Sequence, residues 1–363
     1  MPSPLLRRAS TAALVGVLAA ALVGAVPPPP ASAVADAAAA RRTPIRCAGD
    51  RTSAPAASRI VRDTRLPGRS FAEREGRADG RVVRIGRTLS LRDLASHAAT
   101  WDGAVVGIGS GGLVGAGIGR TTLRLAPHSS SRRREVPTAF PETNQLNVLR
   151  VVRSATVLRG FTLQGTRQGH LYNGLRVERV RGLRADHVRV LAVPGDEHQP
   201  PGETFGINDY GSVGSRWSHI RVDGRGVGAS GFGVNSARDI RICDAVSKNN
   251  PSGMGFALWQ SSGIALVDCV ATGNGFAGFN FERVTGTVTM TRPRATGNRY
   301  DMRIANDRGS ARYRIVDPHL HHGTWTVWLP KRWYGTTNRQ RRSDITVIVD
   351  GKRRNDLLRI RTY

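Results

Sequence analysis

Three acidic residues in the middle of the chain have the side chains needed for acid–base chemistry on a sugar. Glu178 and Asp209 fall in successive sequence repeats, and Glu203 lies in the insertion between them. If the repeats stack as parallel strands about 4.8 Å apart, Glu178 and Asp209 would approach within about 5–8 Å. Carboxyl groups at that separation can act as the catalytic pair of a glycoside hydrolase. We therefore predict Asp209, Glu178 and Glu203 as candidate catalytic residues.

Residues suited to binding sugars accompany these acids in two rows that the repeats place on one sheet face. One row is Arg176, Asn208, Asn235, Ala257 and Asn280, and its neighbour is Glu178, Tyr210, Ala237, Trp259 and Glu282. Aromatic rings can cover sugar ring faces, and amides can bind hydroxyl groups. An ordinary polar exterior, which every protein of stacked repeats needs, would look similar. The predicted substrate-binding residues are Arg176, Asn208, Tyr210, Asn235, Trp259, Asn280 and Glu282.

Asp209 has an unusual place in this alignment, because it falls in an inward row with Val177, Leu258 and Phe281. A buried carboxylate without a partner is costly. Either the strand bends and exposes Asp209, or the register is shifted by one residue, which would turn the whole row to the other face. The sequence leaves both interpretations open.

A repeat in the low twenties organises the chain that carries these residues. Asn250, Asn274 and Asn298 recur every 24 residues, and each coil holds two runs with apolar residues at alternate positions. Such a coil is too short for a helical crossover between strands, so each strand must pair in parallel with its equivalent in the next coil. The pattern predicts a solenoid with a ladder of asparagine amides at one corner. Three independent turn asparagines would favour the same fold.

The residues also resemble a known superfamily. The glycine-rich stretch 113–125 resembles the opening coil of secreted right-handed parallel β-helix proteins, and Gly255–Asn274 and Gly278–Asn298 resemble later coils. This pectate-lyase-like superfamily includes pectate lyases and polygalacturonases, and the resemblance covers about Arg81 to Val316. It implies an all-β fold, a single-stranded right-handed parallel β-helix. It does not select an activity, because the scaffold carries lyases, hydrolases, epimerases and non-catalytic adhesins.

No cofactor is expected, and we assign no metal ligands. If the protein were a lyase, the resemblance would imply acidic calcium ligands and an arginine or lysine base. Arg176 could be that base, but no matching acidic cluster can be placed. His319, His321 and His322 could offer metal ligands, although such a group is more often a solvated loop where a solenoid ends.

Composition divides the chain into four segments. Residues 1–33 have a basic start, an apolar run and a small-residue cleavage site, which predict a cleaved export signal. Their Arg-Arg pair permits the twin-arginine route. Residues 34–79 are rich in alanine and arginine and are predicted to be a disordered linker. The parallel β-helix is predicted over 80–317 with a short cap helix, Leu91–Ala99, followed by a β-rich C-terminal cap over 318–363. In that cap, Asp350-Gly351 between the apolar runs Ile345–Val349 and Leu357–Ile360 predicts a hairpin.

The net charge of +27 favours polyanionic partners. Of the 54 basic residues only three are lysine, an arginine excess that a GC-rich genome would also produce. Export makes nucleic acid an unexpected natural partner, and no transmembrane segment is predicted. We expect a secreted protein that binds and cleaves an acidic polysaccharide, with glycoside hydrolysis favoured over lyase chemistry. The alternative is a non-catalytic cell-surface or polyanion-binding protein, and the sequence does not predict an oligomeric state.

Overall fold

The computed structural model describes residues 59–61, 82–85, 89–91, 104–108, 112–125, 147–151, 157–165, 173–193, 204–226, 230–320, 323–333 and 335–362. All of them lie in one structural unit, residues 46–363. The predicted export signal and Glu203 lie outside the described residues. In the part of the chain that the structure describes, no helix has the length and apolar character needed to cross a membrane.

The alternating apolar residues form short strands that build two large sheets. Sheet A contains Arg59–Val61, Val82–Ile85, Leu89–Leu91, Gly112–Gly115, Thr122–Leu125, Val157–Gln164, Arg184–Leu191, Arg216–Asp223, Arg238–Lys248, Ser262–Val267, Val270–Thr272, Thr285–Thr291, Arg294–Thr296, Arg312–Val316, Ile345–Val349 and Lys352–Arg353. Sheet B contains Ala104–Ile108, Asn147–Val151, Asn173–Glu178, Phe205–Tyr210, Ser230–Asn235, Phe256–Trp259, Ala277–Glu282, Tyr300–Ala305, Trp325–Trp328 and Leu358–Arg361. A small antiparallel pair, Arg332–Trp333 with Thr336–Thr337, and the 3-10 turns Arg342–Asp344 and Asn355–Leu357 complete the described elements.

Successive coils stack in the predicted register. Ile240 pairs with Ile264, which pairs with Val288, and all three side chains are almost fully buried. On sheet B, the rings of Phe256 and Phe279 stack with centroids 5.2 Å apart. Each large apolar side chain that is buried in this way contributes roughly 1.5–3 kcal/mol. The core of the parallel β-helix therefore consists of columns of like residues between the two sheets.

A column of left-handed residues interrupts sheet A at the same step of successive coils. Its members have φ angles between 45° and 54°, and we call it the left-handed column: His187, His219, Asp244, Asp268, Arg292 and Asp317. Aspartate and histidine tolerate this backbone region better than most residues. The column therefore explains why polar residues stand within strands whose neighbouring positions are apolar.

The predicted asparagine ladder is confirmed. Asn250 donates from Nδ2 to Oδ1 of Asn274 at 2.6 Å, and Asn274 donates likewise to Asn298 at 2.9 Å. Asn298 in turn donates to the carbonyl of Ala271 at 2.9 Å. A Cβ at Gly255 would come within 3.0 Å of the Asn274 amide nitrogen, so a glycine at this strand start makes room for the ladder.

The N-terminal end differs from the prediction. Leu89–Leu91 is a parallel strand, so the predicted cap helix Leu91–Ala99 does not begin at Leu91, and the rest of that helix lies outside the described residues. Within the predicted linker 34–79, Arg59–Val61 pairs in parallel with Val82–Ile85. Leu89–Leu91 and Arg59–Val61 are strands because their backbones pair with the next coil. Local composition does not reveal such pairing.

At the C-terminal end, parallel pairing continues beyond residue 317. Ile345–Val349 pairs with Arg312–Val316 in sheet A, and Leu358–Arg361 pairs with Trp325–Trp328 in sheet B. The strands of the C-terminal segment thus extend the same two stacks. Their inward residues, including Trp325 and Val347, belong to the same hydrophobic core.

A hairpin does form at Asp350-Gly351, but with a different second strand. Both turn residues have positive φ, 50° and 75°, as expected for an Asp-Gly hairpin turn. The strand that returns is Lys352–Arg353, and not the predicted Leu357–Ile360. The later residues instead pair within sheet B, where their apolar side chains face the core.

Replacing Asn274 with alanine tests the contribution of the ladder to stability. The change removes the acceptor of Asn250 and the donor to Asn298, so buried amide groups lose their partners. We expect the free energy of unfolding to fall by about 2–4 kcal/mol, measured by urea denaturation of the full chain. Thr287→Ala, at an exposed position of sheet A, is the control and should change it by about 0.5 kcal/mol or less. Equal urea concentrations at the unfolding midpoints of the two variants would contradict a stabilising ladder.

Candidate functional site

The outer face of sheet B carries the predicted polar residues in two rows, with one correction. The register places Glu178, Tyr210, Asn235, Trp259 and Glu282 in one row. The neighbouring row is Arg176, Asn208, Gly233, Ala257, Asn280 and Arg303. Asn235 was predicted in this second row and Ala237 in the first, which is wrong, since Ala237 is buried beyond the strand.

Two nearby glycines explain this error. Phe232 lies between Gly231 and Gly233, and the predicted rows follow from taking Gly233 as the equivalent of Gly255 at the start of the strand. The structure pairs Phe232 with Phe256, so Gly231 is the equivalent of Gly255. A shift of two residues keeps every side chain on its face but moves it one row along.

At one end of this face, an arginine, a glutamate and a tyrosine form a compact group. Nε of Arg176 lies 3.4 Å from Oε2 of Glu178, and the Arg176 guanidinium lies over the ring of Tyr210 at 5.0 Å from its centroid. Arg176 is buried, whereas Glu178 and Tyr210 are half-buried. The solvent side of the group therefore presents a carboxylate and a phenol over a fixed positive charge.

The centre of the face combines an amide pair with an exposed ring. Asn235 donates to Asn208 at 2.8 Å, and both amides are buried. Trp259 is 39% exposed, although it belongs to the same row as Asn235. Beside it, Phe205 packs over Gly233, where a Cβ would come within 2.7 Å of the ring. The amides thus support the strands, and Trp259 is the group that solvent and ligands can reach.

The other end holds an arginine that the sequence analysis missed. Nη1 of Arg303 lies 2.6 Å from Oε1 of Glu282 and also donates to Oδ1 of Asn280. Its guanidinium lies 5.4 Å from the ring centroid of Trp328 and 5.5 Å from that of Phe276. Extending the repeat by one coil would have found it, because Arg303 follows Asn280 in register.

Asp209 faces the interior beside Val177, so both open interpretations are wrong: the strand does not bend to expose Asp209, and the register is not shifted by one residue. Oδ2 accepts a hydrogen bond from Nε1 of Trp217 at 2.9 Å. Burial raises the pKa of Asp209 despite hydrogen bonds to its carboxylate. Since the sheet separates it from the outer face, Asp209 cannot form a catalytic pair there with Glu178, and this part of the prediction is wrong.

The remaining described carboxylates of the row are also too far apart to act as a pair. Glu178 and Glu282 are separated by four strand spacings, about 19 Å. Paired-carboxylate hydrolysis needs a separation of about 5–9.5 Å. Glu203, the third predicted acid, lies outside the described residues.

Around the corner from this face, arginines stack on sheet A. Arg184 pairs with Arg216, and Arg216 pairs with Arg241 in the next coil. Arg184 and Arg216 are exposed. Like charges placed directly opposite on neighbouring strands repel one another. We call this set the arginine stripe; a polyanion lying across it would relieve the repulsion.

Comparison with known proteins identifies the fold. No protein-family model matches the sequence. No curated protein matches it either. Among solved structures, the chain resembles the A-module of the Azotobacter vinelandii mannuronan C-5 epimerase AlgE4, with a TM-score of 0.52 and 16% identity over 82% of this chain and 88% of that one. The AlgE6 A-module of the same organism matches with a TM-score of 0.34 and 12% identity over 82% and 98%.

The chain is a right-handed parallel β-helix. This confirms the fold that the resemblance to secreted β-helix proteins predicted. The similarity to the AlgE4 A-module concerns the fold alone, since the two sequences share few residues. What the outer face of sheet B does must therefore be argued from its own residues.

The raised pKa of Asp209 predicts that replacing this residue changes stability in a pH-dependent way. Because its pKa is raised in the folded chain, the folded state retains a proton that the unfolded state releases above about pH 4, so the contribution of Asp209 to stability falls as pH rises. Asp209→Asn lacks this proton release. We expect its stability relative to wild type to rise between pH 4 and pH 7, measured by urea denaturation at several pH values. Asp350→Asn, at an exposed aspartate, is the control, and a pH-independent difference for Asp209→Asn would contradict the assignment.

Proposed function

We propose that this is an exported, carbohydrate-active β-helix protein that binds an acidic polysaccharide along the outer face of sheet B. The observation that carries the proposal is the exposed Trp259, which stands between two arginine–carboxylate groups in one row. The row crosses successive strands, so a bound chain would run along the stacking axis. It would meet Tyr210 and Trp259 about 10 Å apart, two strand spacings.

Charge supports an acidic ligand. The whole chain carries a net charge of +27, and the arginine stripe of Arg184, Arg216 and Arg241 borders this part of the molecule. Such a field raises the local concentration of polyanions. The solved structure with the same fold is by its name a mannuronan C-5 epimerase, and mannuronan is an acidic polysaccharide.

The geometry favours proton transfer at a uronic acid over hydrolysis by paired carboxylates. Removal of the C5 proton of a uronate needs a positive charge near the substrate carboxylate and a group that accepts the proton. Arg176 provides the first, and Tyr210 provides the second once its own phenol proton has passed to solvent. Expulsion of the C4 oxygen substituent, protonated by water, then gives elimination, whereas delivery of a proton from water to the opposite face of C5 gives epimerisation. In both reactions Arg176 would stabilise the negative charge that develops on the substrate, and the Tyr210 phenolate would take up the C5 proton.

Hydrolysis would need a second carboxylate near Glu178. The inserted loop could supply Glu203, whereas Asp209 is on the wrong side of the sheet. If calcium takes part, Glu178 and Glu282 are the carboxylates of this row that could bind it, and each is already paired with an arginine. A non-catalytic polyanion-binding protein would use the same row and stripe without turnover.

Incubation with a panel of polyuronates and neutral glucans tests the reaction. We expect an unsaturated product that absorbs ultraviolet light, or a changed uronate composition, from a polyuronate and no change in the neutral glucans. Tyr210→Phe should lower turnover about 100-fold or more, because it removes the group that moves the proton, while binding of the polymer changes little. Tyr300→Phe, which makes the same change at a buried tyrosine of sheet B, is the matched control. Reducing ends without either product would show hydrolysis, and binding without any product would support the non-catalytic alternative.

Binding itself is tested by Trp259→Ala. Loss of the exposed ring should weaken binding to an oligouronate about 5- to 30-fold, since a central aromatic contact is worth about 1–2 kcal/mol. Isothermal titration measures the affinity, and the unfolding temperature should change little because the ring is exposed. Arg312→Ala, at an exposed position of sheet A in a later coil, controls for general loss of surface contacts. Unchanged affinity for Trp259→Ala would remove the central contact of the proposed site.

A further inference from the structure

Two histidines and an aspartate meet on sheet A, away from the outer face of sheet B. Oδ1 of Asp186 lies 2.8 Å from Nδ1 of His219 and 2.9 Å from Nδ1 of His187. Ser218 donates to the same oxygen at 2.9 Å. One carboxylate oxygen offers about two lone-pair sites, so three groups compete for them. A cation held by the two ring nitrogens and the carboxylate would resolve this crowding.

In-register stacking brings the two histidines together. His187 and His219 are consecutive members of the left-handed column, with φ angles of 51° and 52°. Their rings stack with centroids 4.3 Å apart and planes 22° from parallel. Both Nδ1 atoms consequently point to Asp186, which precedes His187 in the same strand. The two histidines come from coils of different length, so their spacing in the sequence does not identify them as neighbours.

We propose that Asp186, His187 and His219 bind a divalent transition-metal ion of the zinc type. One ligand atom from each residue lies within 4.8 Å of the other two. Metal–ligand bonds of about 2.0–2.2 Å in a tetrahedral site place ligand atoms about 3.4 Å apart, so small side-chain rotations suffice. Two imidazoles and one carboxylate suit zinc, nickel or copper, whereas calcium prefers oxygen ligands alone.

The surroundings of His219 support a metal-binding role. Oδ2 of Asp244, the next residue of the left-handed column, lies 3.8 Å from Nε2 of His219. Asp244 is held in place by Arg221, whose Nη2 lies 3.0 Å from its Oδ1. Metal-bound histidines commonly donate their second ring N–H to a carboxylate, which fixes the tautomer and orients the ring. Asp244 is placed to orient His219 in this way.

A metal ion bound at this site would link two neighbouring coils. Asp186 and His187 belong to the strand Arg184–Leu191, and His219 belongs to Arg216–Asp223. An ion bound to both strands stabilises the folded chain, because the unfolded chain does not hold these ligands together. This inference does not depend on the proposed function, since its residues and its ligand are different.

Zinc titration of the full chain without an affinity tag, in competition with a chromophoric chelator, tests the site. His187→Asn and His219→Asn keep a residue that tolerates the left-handed backbone but remove a ring ligand. Each should weaken the affinity for one zinc equivalent at least tenfold and abolish the zinc-induced rise in unfolding temperature. Asp244→Asn should weaken it about 10- to 100-fold through loss of orientation. The control His319→Asn, at an exposed position outside the cluster, should bind like wild type.

Cobalt substitution gives a second measurement that does not depend on the stability of one variant. Co²⁺ in a site with nitrogen ligands gives visible absorption bands, which should appear in wild type and His319→Asn and be lost in Asp186→Asn. Unchanged zinc affinity in both histidine variants would overturn the proposal. Equal losses in His319→Asn and His219→Asn would also overturn it, because zinc would then be binding to surface histidines in general.

Discussion

In-register backbone pairing between successive coils is the constraint on which this structure depends. Parallel strands about 4.8 Å apart bring each position of a coil beside its equivalent in the next coil. The contribution of a side chain to stability therefore depends on its neighbours in the same column as well as on its contacts within the coil. Apolar columns such as Ile240, Ile264 and Val288 form the core, and the asparagine column satisfies its own amides.

The same constraint separates charged columns into two kinds. Some columns alternate in sign and are satisfied internally, as where Arg292 pairs with Asp268 at 2.6 Å. Others repeat one charged residue type, as in the arginine stripe. A column of like groups costs energy unless an opposite charge joins it. A polyanion would stabilise the arginine stripe. The stacked histidines of the left-handed column instead offer ring nitrogens, beside Asp186, to a metal ion.

The sequence predicted the features that repeat at a fixed period. The asparagine ladder and the stack of Phe256 on Phe279 followed from spacing alone, because the register repeats unchanged between those coils. Alternation placed Asp209 in an inward row, but both interpretations of that position gave it an accessible carboxylate, which is wrong. The hydrogen bond from Trp217 to Asp209 was not predicted, because a contact between the two sheets depends on how they pack and not on the strand period.

Errors arose where the period itself was ambiguous. The Gly-Phe-Gly segment around Phe232 allowed two alignments and shifted Asn235 by one row. Arg303 was missed because the alignment ended before its coil. His187 and His219 come from coils of different length, so spacing did not relate them, and only the three-dimensional register shows them as neighbours.

The central functional claim is that a polysaccharide lies along the outer face of sheet B. Hydroxyl-radical footprinting of the full chain, with and without a saturating oligouronate, tests it most directly. The account predicts that oxidation of Trp259 and Tyr210 falls several-fold in the complex, while His187 and His219 on sheet A are oxidised at their original rates. Protection of the sheet A histidines with unchanged oxidation of Trp259 would contradict it and would place the ligand on the other sheet.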